Sequence, residues 1–465
     1  MSNSAPASSH SAWPDGLLLT YYGDDFTGST DVMEAFTAAG VPTVLFLSEP
    51  QVEDLVRFKT MRCIGLAGQS RSRSPEWMQQ HLPAAFESLA RLKAPIVQYK
   101  VCSTFDSSPL AGSIGQAIDI GLKFAPENWS PMVVGAPRLL RYQVFGNLFA
   151  AAGKDVYRID RHPTMSRHPV TPMREGDLRL HLGEQTQRRI GLIDIAQIAT
   201  GQSQARLDEL RADDQPVVMI DVADTPSQIE GGRLVWENRG QGLFTASSSG
   251  LQYALTAYWR SLGFLPAYAN LPPTPETDCI AVVSGSCSPM SGAQIQWAQR
   301  NGFYTARLDV PSCLDIDRRA LEVERLVSDA VTQLMQGVSP VIYSAQGPDD
   351  LAVTGFDAIA SAAGLTREAA AAQIGLTLAE VMRQILDRSQ VRRIVVAGGD
   401  SSGAVASHLG ITALTVAGAL APGAPLCRAW SIDPKRDGLE IVLKGGQLGT
   451  ESFYGTVRNG VSQGS

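Results

Sequence analysis

The sequence predicts an α/β protein with two domains, each a mostly parallel sheet flanked by helices, and an active-site cleft between them. Three observations predict this fold. The chain has 465 residues, which is too long for one ordinary hydrophobic core. Short β-rich runs alternate with helical patterns along the chain, as expected of parallel sheets that are covered by helices. A proline-rich segment, 270–277, interrupts this alternation with three prolines within four residues.

The proline-rich segment is the predicted boundary between the domains. Because proline cannot continue a helix or a central strand, residues 270–277 are expected to be a stiff linker between a first domain, 15–269, and a second domain, 278–465. Residues 1–14 are expected to form a disordered tail rather than a signal peptide. Their small, polar side chains include neither a positively charged stretch nor an apolar one at the start of the chain.

Strands and helices alternate in each predicted domain. In the first domain the expected strands are 17–22, 43–47, 62–66, 96–100, 132–135, 189–193 and 217–221. In the second domain they are 279–284, 303–307, 338–344, 393–397 and 440–443, with helices such as 320–336 and 376–389 between them. Ligands of open α/β sheets collect at the carboxyl ends of the strands. The residues that follow each strand are therefore the candidates for a site.

The composition indicates a packed globular protein, with 44% hydrophobic and 18% charged residues. The formal net charge of -7 argues against a nucleic acid or an anionic membrane surface as the main partner. No apolar stretch approaches the roughly 20 residues of a membrane-spanning helix, and the cytoplasm is the expected location. The cysteines lie far apart, without a C-x-x-C pair, and are expected to be reduced thiols rather than disulfides or zinc ligands. They are Cys63, Cys102, Cys279, Cys287, Cys313 and Cys427.

Three loops rich in glycine or serine follow predicted strands of the second domain, at 284–289, 398–403 and 443–449. Glycines let the backbone approach a ligand closely, and a following helix presents free N–H groups and the positive end of its dipole, so these loops predict a phosphate site. The alternative for each loop is an ordinary strand-to-helix turn with Asp or Ser as its cap. Together they favour a polyanionic nucleotide, although a mononucleotide-binding module without catalysis stays open. The P-loop motif, the protein-kinase signature set and the dinucleotide fingerprint after the first strand are missing from the sequence.

Two adjacent aspartates, Asp24 and Asp25, follow the first predicted strand. Adjacent carboxylates repel each other, so the arrangement usually needs a compensating cation or a hydrogen-bonded polar ligand. In the functional interpretation, one carboxylate orients or deprotonates a hydroxyl group while the other fixes the ligand. In the structural alternative, one aspartate caps the following helix and the other faces water.

Basic, hydroxyl and imidazole side chains follow three further strands of the first domain. Guanidinium groups suit the recognition of a carboxylate, and a lysine beside hydroxyl groups adds charge and hydrogen-bond donors. Opposite two aspartates, such a cluster predicts a pocket for a small hydroxy acid, although the histidines could equally be structural. The candidates are Arg71, Arg73, Lys100, Ser103, Thr104 and His162.

These motifs occur in the order seen in the four-carbon acid sugar kinase family, which the chain resembles over nearly its whole length. In that family the N-terminal domain binds the sugar acid, the C-terminal domain binds ATP, and the reaction takes place between them. The resemblance is carried by 24–28, by Lys100 with Ser103 and Thr104, by 284–288 and by 398–403. It implies a sugar side with Asp24, Asp25, Arg73, Lys100, Ser103 and Thr104, and an ATP side with Ser286, Gly398, Gly399, Asp400, Ser401 and Gly446.

One position departs from the commonest pattern of the family. Many members have an aspartate where this chain has Cys102, and the form seen here resembles the branch that acts on 3-oxo sugar acids, 3-oxo-tetronate or 3-oxo-isoapionate. Loss of the carboxylate fits a substrate that carries a carbonyl in place of a hydroxyl, because two facing acceptors would be unpaired. Kinases of the non-oxidised acids threonate and erythronate stay as alternatives.

The reaction expected from the resemblance is transfer of the γ-phosphate of ATP to a terminal hydroxyl of the sugar acid, with Mg²⁺ on the phosphates. Asp25 is the first candidate for the base and Asp24 the second, while Lys100 and Arg73 would hold the substrate carboxylate. The metal ligands and a homodimer stay open. Two other classes also stay open: an oxidoreductase or aldolase-like enzyme of sugar-acid catabolism, and a non-catalytic sensor that binds a sugar acid and a nucleotide across two lobes.

Overall fold

The structure is a computed structural model that describes residues 13–168, 170–212, 217–267 and 271–461, without the side chain of Asp400. Its strands are β1 (Leu19–Gly23), β2 (Thr43–Phe46), β3 (Cys63–Ala67), β4 (Ile96–Lys100), β5 (Ser130–Met132), β6 (Arg141–Val144), β7 (Asn147–Ala152), β8 (Asp155–Arg158), β9 (Ile190–Ile193), β10 (Val217–Ile220), β11 (Leu243–Ser247), β12 (Ala281–Ser284), β13 (Tyr304–Arg307), β14 (Pro340–Tyr343), β15 (Arg393–Ala397), β16 (Ile411–Ala421), β17 (Ala424–Ser431) and β18 (Glu440–Lys444).

The α-helices are α1 (Phe26–Ala38), α2 (Val52–Arg57), α3 (Pro75–Arg91), α4 (Ile114–Gly121), α5 (Leu178–Gly183), α6 (Ile195–Ala199), α7 (Ser203–Arg211), α8 (Thr225–Glu237), α9 (Gly250–Ser261), α10 (Pro289–Arg300), α11 (Val310–Leu314), α12 (Arg319–Met335), α13 (Leu351–Thr354), α14 (Phe356–Ala362), α15 (Arg367–Arg388), α16 (Gly399–His408) and α17 (Phe453–Asn459). Short 3₁₀ helices lie at Ser70–Ser72, Leu122–Phe124, Pro137–Leu139, Ile159–Arg161 and Met165–Arg167.

The two domains share one sheet. In the described part of the chain this sheet has 12 strands in the order β11-β4-β1-β3-β2-β16-β17-β18-β15-β12-β14-β13. The predicted fold class is confirmed, because each half is mostly parallel and flanked by helices. The sequence did not reveal that the halves hydrogen-bond edge to edge through β2 and β16, where Leu47 N donates to Thr412 O at 2.9 Å. Pairing the two edges in this way removes two exposed edge strands.

The direction of the strands reverses between the domains. β16 pairs antiparallel with both β2 and β17, and β17 pairs antiparallel with β18, so the parallel strands of the second domain run opposite to those of the first. Each strand pair adds a twist of about 20–25°, which amounts to roughly 130° over the six steps from β1 to β15. Reversal and twist together bring the carboxyl ends of β1 and β15 back toward the same side of the molecule.

The predicted strands all overlap strands of the structure, but several observed strands were missed. β11 is buried and pairs with β4, while β16 and β17 form the hairpin that joins the domains. β6, β7 and β8 make a separate antiparallel sheet, and β5, β10 and β9 a separate parallel one. The hairpin is hard to predict because its ladder contains register shifts, which break the alternation of side chains that a strand pattern needs.

The described residues of the predicted linker, 271–277, are bound to the second domain. Thr274 Oγ1 donates to Ala419 O at 2.6 Å, and Ala419 N donates to Pro272 O at 3.1 Å. Position 270 lies outside the described residues. The segment therefore runs along β16 instead of acting as a free spacer.

The beginning of the chain is also packed. Residues 1–12 of the predicted tail lie outside the described residues. The ring of Trp13 meets that of Trp259 edge to face, with centroids 5.1 Å apart, and Arg62 Nη2 donates to Pro14 O. Residues 13 and 14 therefore belong to the folded first domain.

One cluster of buried apolar side chains crosses the domain boundary. It contains Val32 and Phe36 of α1 together with Val405 of α16 and Leu414 of β16. Helix α1 packs this face inward because its apolar residues recur at helical spacing, while Asp25 caps its first turn. The shared core fixes α1 and α16 relative to each other.

Candidate active site

The two aspartates after β1 are held by one arginine. Arg71 lies in the short helix after β3, the strand next to β1. Its Nε and Nη2 atoms donate to Asp24 Oδ2 and Oδ1 at 3.0 and 2.7 Å, and its Nη1 atom donates to Asp25 Oδ2 at 2.7 Å. Burial raises the pKa of Asp24 above its ordinary value, and the Arg71 guanidinium opposes part of this rise. The compensating cation that adjacent carboxylates need is therefore Arg71.

The two aspartates differ in accessibility. Asp25 caps α1, since its Oδ1 atom accepts a hydrogen bond from Gly28 N at 2.6 Å. The structural alternative is thus right about the cap but wrong about the second carboxylate, because the side chain of Asp24 is only 6% exposed and does not face water. The side chain of Asp25 is 28% exposed. Asp25 is therefore the carboxylate of the pair that a ligand can reach.

Lys100 approaches the aspartates from the end of β4, on the other side of β1. Its side chain is 2% exposed, and its Nζ atom lies 3.7 Å from Asp31 Oδ2. Gly28 lies at the centre of the group: a Cβ atom there would be 2.5 Å from Asp25 Oδ1, 3.0 Å from Lys100 Nζ and 3.3 Å from Arg71 Nη2. The lack of a side chain at this position lets the carboxylate and the two cations converge.

A short chain of hydrogen bonds lies in the loop that follows Lys100. Thr104 Oγ1 donates to Asp106 Oδ1 at 2.5 Å and lies 2.9 Å from Cys102 Sγ. Burial raises the pKa of Cys102 to about 11, helped by the nearby Asp106 carboxylate, so its thiol is neutral at pH 7. Although burial alone would raise the pKa of Asp106, the Arg71 guanidinium and the Thr104 hydroxyl hold it below its ordinary value.

Asp106 belongs to the site region but was not among the sequence candidates. It is buried and is held by Thr104, which was a candidate. A signal existed, because Asp106 lies in the same strand-end segment as Lys100 and Ser103. Ser103, which is partly buried, lies in the turn between Cys102 and Thr104.

Two sequence candidates do not join this cluster. Arg73 is exposed, donates to Gln69 Oε1 at 3.2 Å and lies over the ring of Trp77, so the arginine close to Lys100 is Arg71 and not Arg73. His162 is buried, and its Nδ1 atom accepts hydrogen bonds from Thr164 N and from the next backbone amide, both at 3.2 Å. The contacts of His162 are those of a structural histidine, which is the alternative that the sequence left open.

The glycine-rich loops of the second domain converge. Gly398, which precedes α16, has a φ of +120°, a conformation that favours glycine. A Cβ atom on Gly398 would lie 3.3 Å from both Ser286 N and Ser401 Oγ, and one on Gly446 would lie 2.4 Å from Ser286 Oγ. Backbone amides and serine hydroxyls from three strand ends thus surround one point at the start of α16, as a phosphate cradle requires. The side chain of Asp400 lies outside the description.

The loops of the two domains touch. A Cβ atom on Gly399 would lie 3.7 Å from Thr27 Oγ1, and one on Gly445 would lie 3.6 Å from Thr27 Cγ2. A Cβ atom on Gly403 would likewise lie 3.7 Å from Phe26 Cδ2. The residues directly after the aspartate pair therefore pack on the predicted phosphate loops. The loop predicted to hold the sugar acid and the loops predicted to hold phosphate are therefore neighbours, an arrangement that suits a two-domain enzyme that transfers a group between two ligands.

Known proteins show which enzyme class this is. A family model described as a sugar-binding N-terminal domain matches residues 19–255, and one described as a nucleotide-binding C-terminal domain matches residues 281–454. The 3-oxo-isoapionate kinase of Paraburkholderia graminis is 63% identical over 97% of this chain and 96% of its own length. The 3-oxo-tetronate kinase of Methylobacterium radiotolerans is 29% identical over 94% and 98%. The chain belongs to the four-carbon acid sugar kinase family and is an ATP-dependent sugar-acid kinase.

The fold is shared with solved structures. A Haemophilus influenzae protein matches with a TM-score of 0.72 and 24% identity, covering 94% of this chain and 99% of that chain. Among the described residues, no helix is long and apolar enough to cross a membrane, and no group of three or more His, Cys, Asp or Glu side chains is arranged to hold a metal ion. The six cysteines are free, as the sequence predicts.

Proposed function

We propose that the enzyme phosphorylates the terminal hydroxyl of a small 3-oxo sugar acid, with 3-oxo-isoapionate as the first candidate and 3-oxo-tetronate as the second. The relative that is 63% identical over nearly the whole chain acts, by its name, on 3-oxo-isoapionate. The observation that carries the proposal is the contact of Thr27 with the Gly399 and Gly445 loops. An alcohol bound beside Asp25 and a phosphate bound by the glycine loops would then lie in neighbouring sites.

The roles of the residues follow from their charge and exposure. Asp25, the more exposed carboxylate, orients or deprotonates the attacking hydroxyl, while Asp24 is bound by Arg71 and fixes the position of its guanidinium. Lys100 and Arg71 supply the positive charge for the substrate carboxylate. Ser286, Gly398, Gly399, Ser401 and Gly446 surround the nucleotide phosphates. Most of the acceleration comes from positioning and charge neutralisation, as phosphoryl transfer requires.

Cys102 supports a substrate with a carbonyl group. Its thiol is neutral at pH 7, and it stands where the family pattern described in the sequence analysis has an aspartate. The thiol hydrogen is engaged within the loop, because the Thr104 hydroxyl beside it donates to Asp106. An uncharged sulfur can still lie beside a carbonyl oxygen, whereas a carboxylate there would leave two acceptors unpaired. The position therefore favours a 3-oxo acid over threonate or erythronate.

Mg²⁺ fits this site as an ion held mainly by ATP. In proteins that bind nucleotides, Mg²⁺ uses one or two carboxylates, water and the substrate phosphates instead of a cage of protein ligands. The partly exposed carboxylate of Asp25 is a candidate ligand for the ion. When bound, the ion neutralises charge on the transferred phosphate.

A substrate panel tests the proposal. The purified enzyme is given ATP and Mg²⁺ with 3-oxo-isoapionate, 3-oxo-tetronate, threonate or erythronate, and ADP release is measured while ³¹P NMR locates the new phosphate ester. We expect the highest kcat/KM with a 3-oxo acid and an ester on its terminal carbon. Ligand-induced thermal stabilisation without ADP release would support the sensor, and a preference for threonate would overturn the 3-oxo assignment. A homodimer and a cytoplasmic location stay predictions from the sequence.

A further inference from the structure

A buried lysine lies beneath the phosphate loops of the second domain. Lys444 is the last residue of β18, pairs with Ala397 of β15 and accepts a backbone hydrogen bond from Gly398 N at 2.9 Å. Its side chain is fully buried. Its ammonium lies 3.5 Å from Gly446 O and 6.0 Å from the centre of the Phe453 ring. Among the side chains that the structure describes, no carboxylate forms an ion pair with it.

An unpaired buried cation is unfavourable, and this environment does little to compensate for it. Gly446 O also accepts hydrogen bonds from Ser288 Oγ and Ser291 Oγ at 2.6 and 3.1 Å, so Lys444 shares a weak partner. Burial lowers the pKa of Lys444 to about 8, and no charged side chain in the described part of the chain contributes to the shift. An anion that approached the glycine loops would stabilise the ammonium.

The same contacts orient the loop. Because a trans peptide unit is planar, its carbonyl and its N–H group point in opposite directions. The donors that hold Gly446 O on one side therefore turn the N–H group of Gln447 toward the other. Lys444 is thus placed both to fix the backbone of this loop and to add positive charge below it, without touching the ligand itself.

We propose that Lys444 is a positioning residue for the nucleotide: its buried charge, acting through the Gly446 loop, strengthens the binding of the phosphate chain. This inference rests on the proposed function, since it assigns the ATP phosphates to this loop. The inference predicts different effects on the two parts of the nucleotide. The charge of Lys444 strengthens the binding of the phosphates and leaves the binding of the nucleoside unchanged.

The test compares Lys444→Met with the matched control Lys435→Met, which removes the same charge at an exposed position. We expect Lys444→Met to weaken ATP binding about 10- to 100-fold by calorimetry and to raise KM for ATP, while adenosine binding, KM for the sugar acid and the properties of Lys435→Met stay at wild-type values. Equal losses for ATP and adenosine, or an unchanged KM for ATP, would overturn the inference.

The wild-type enzyme provides a second test that does not depend on the folding of a variant. In the enzyme without ATP, a growing fraction of Lys444 is neutral above pH 8, so KM for ATP should rise between pH 8 and 9.5. Because bound ATP favours the charged lysine, ATP binding at pH 8.5 should take up a fraction of a proton. Calorimetry in buffers with different ionisation enthalpies measures this uptake, and its absence would overturn the inference. If the wild type bound no ATP at all, the proposed function itself would fail.

Discussion

The substitution Asp25→Asn isolates the charge of the proposed base. Asn caps a helix about as well as Asp does, so its side-chain oxygen can keep the hydrogen bond from Gly28 N, now 2.6 Å long. With that oxygen used, the amide N–H₂ of Asn faces Arg71 Nη1, another donor, so the hydrogen bond of 2.7 Å to Arg71 is lost, but Arg71 keeps two hydrogen bonds to Asp24. A partly exposed ion pair of this kind stabilises a fold by about 0.2–1 kcal/mol. The expected loss of folding stability is therefore about 1 kcal/mol.

The expected loss of activity is much larger. A positioned base contributes about 10²- to 10⁴-fold to a rate, which is about 3–5 kcal/mol of activation free energy. We expect kcat of Asp25→Asn to fall by this factor in an ADP-release assay with saturating sugar acid, while calorimetry shows nearly unchanged ATP affinity. Urea unfolding measures the change in stability on the same samples.

A matched control is available on another helix. Asp224 caps α8, and its Oδ1 atom accepts a hydrogen bond from Ser227 N at 2.9 Å. The variant Asp224→Asn makes the same chemical change in a cap outside the predicted site, so its kcat should equal that of the wild type. If Asp25→Asn kept kcat within about threefold of the wild type, Asp25 would have no role as a base.

Three further substitutions test other parts of the structure. Gly28→Ala would put a methyl group 2.5 Å from Asp25 Oδ1 and 3.0 Å from Lys100 Nζ. We expect kcat/KM for the sugar acid to fall about 100-fold, and an unchanged value would show that these side chains move aside without loss of activity. Gly398→Ala forces a φ of +120° on alanine, and urea unfolding should show a loss of about 1–3 kcal/mol with a higher KM for ATP; wild-type values would contradict this. Burial raises the pKa of Glu34 from 4.5 to about 7, so the wild type should lose stability as pH rises from 4.5 to 7, because the unfolded chain gives up its proton first. Glu34→Gln should reduce this loss of unfolding free energy between pH 5 and 8 by roughly 2 kcal/mol. An identical loss in both proteins would show that Glu34 is not the group responsible.

The sequence determined the class of fold and the position of the candidate loops. Local alternation of strand and helix patterns depends on neighbouring residues alone, and it predicted the parallel strands of both domains except β11. The aspartates after β1 and the glycines after β15 were found because ligands of parallel sheets lie at strand ends. Lys100 was found for the same reason.

The choice among nearby side chains required the tertiary structure. Arg71 and Arg73 are two residues apart in the sequence, but only Arg71 is turned toward the aspartates by the short helix after β3, while Arg73 lies over Trp77. His162 has the residue type of a ligand, yet the backbone amides that follow it use its ring nitrogen. The contact of Arg71 with Asp24 joins residues far apart in the sequence, and the contacts of Arg73 and His162 depend on the folded backbone around them, so a pattern of residue types contains neither.

The relation between the two domains was likewise decided by tertiary structure alone. The contact of Thr27 with Gly399 and Gly445 joins residues about 370 to 420 positions apart. It depends on the antiparallel pairing of β2 with β16 and on the twist that accumulates across the shared sheet. The pairing and the twist are both properties of paired strands and not of one strand alone. The sequence of one loop therefore does not predict which other loop lies beside it.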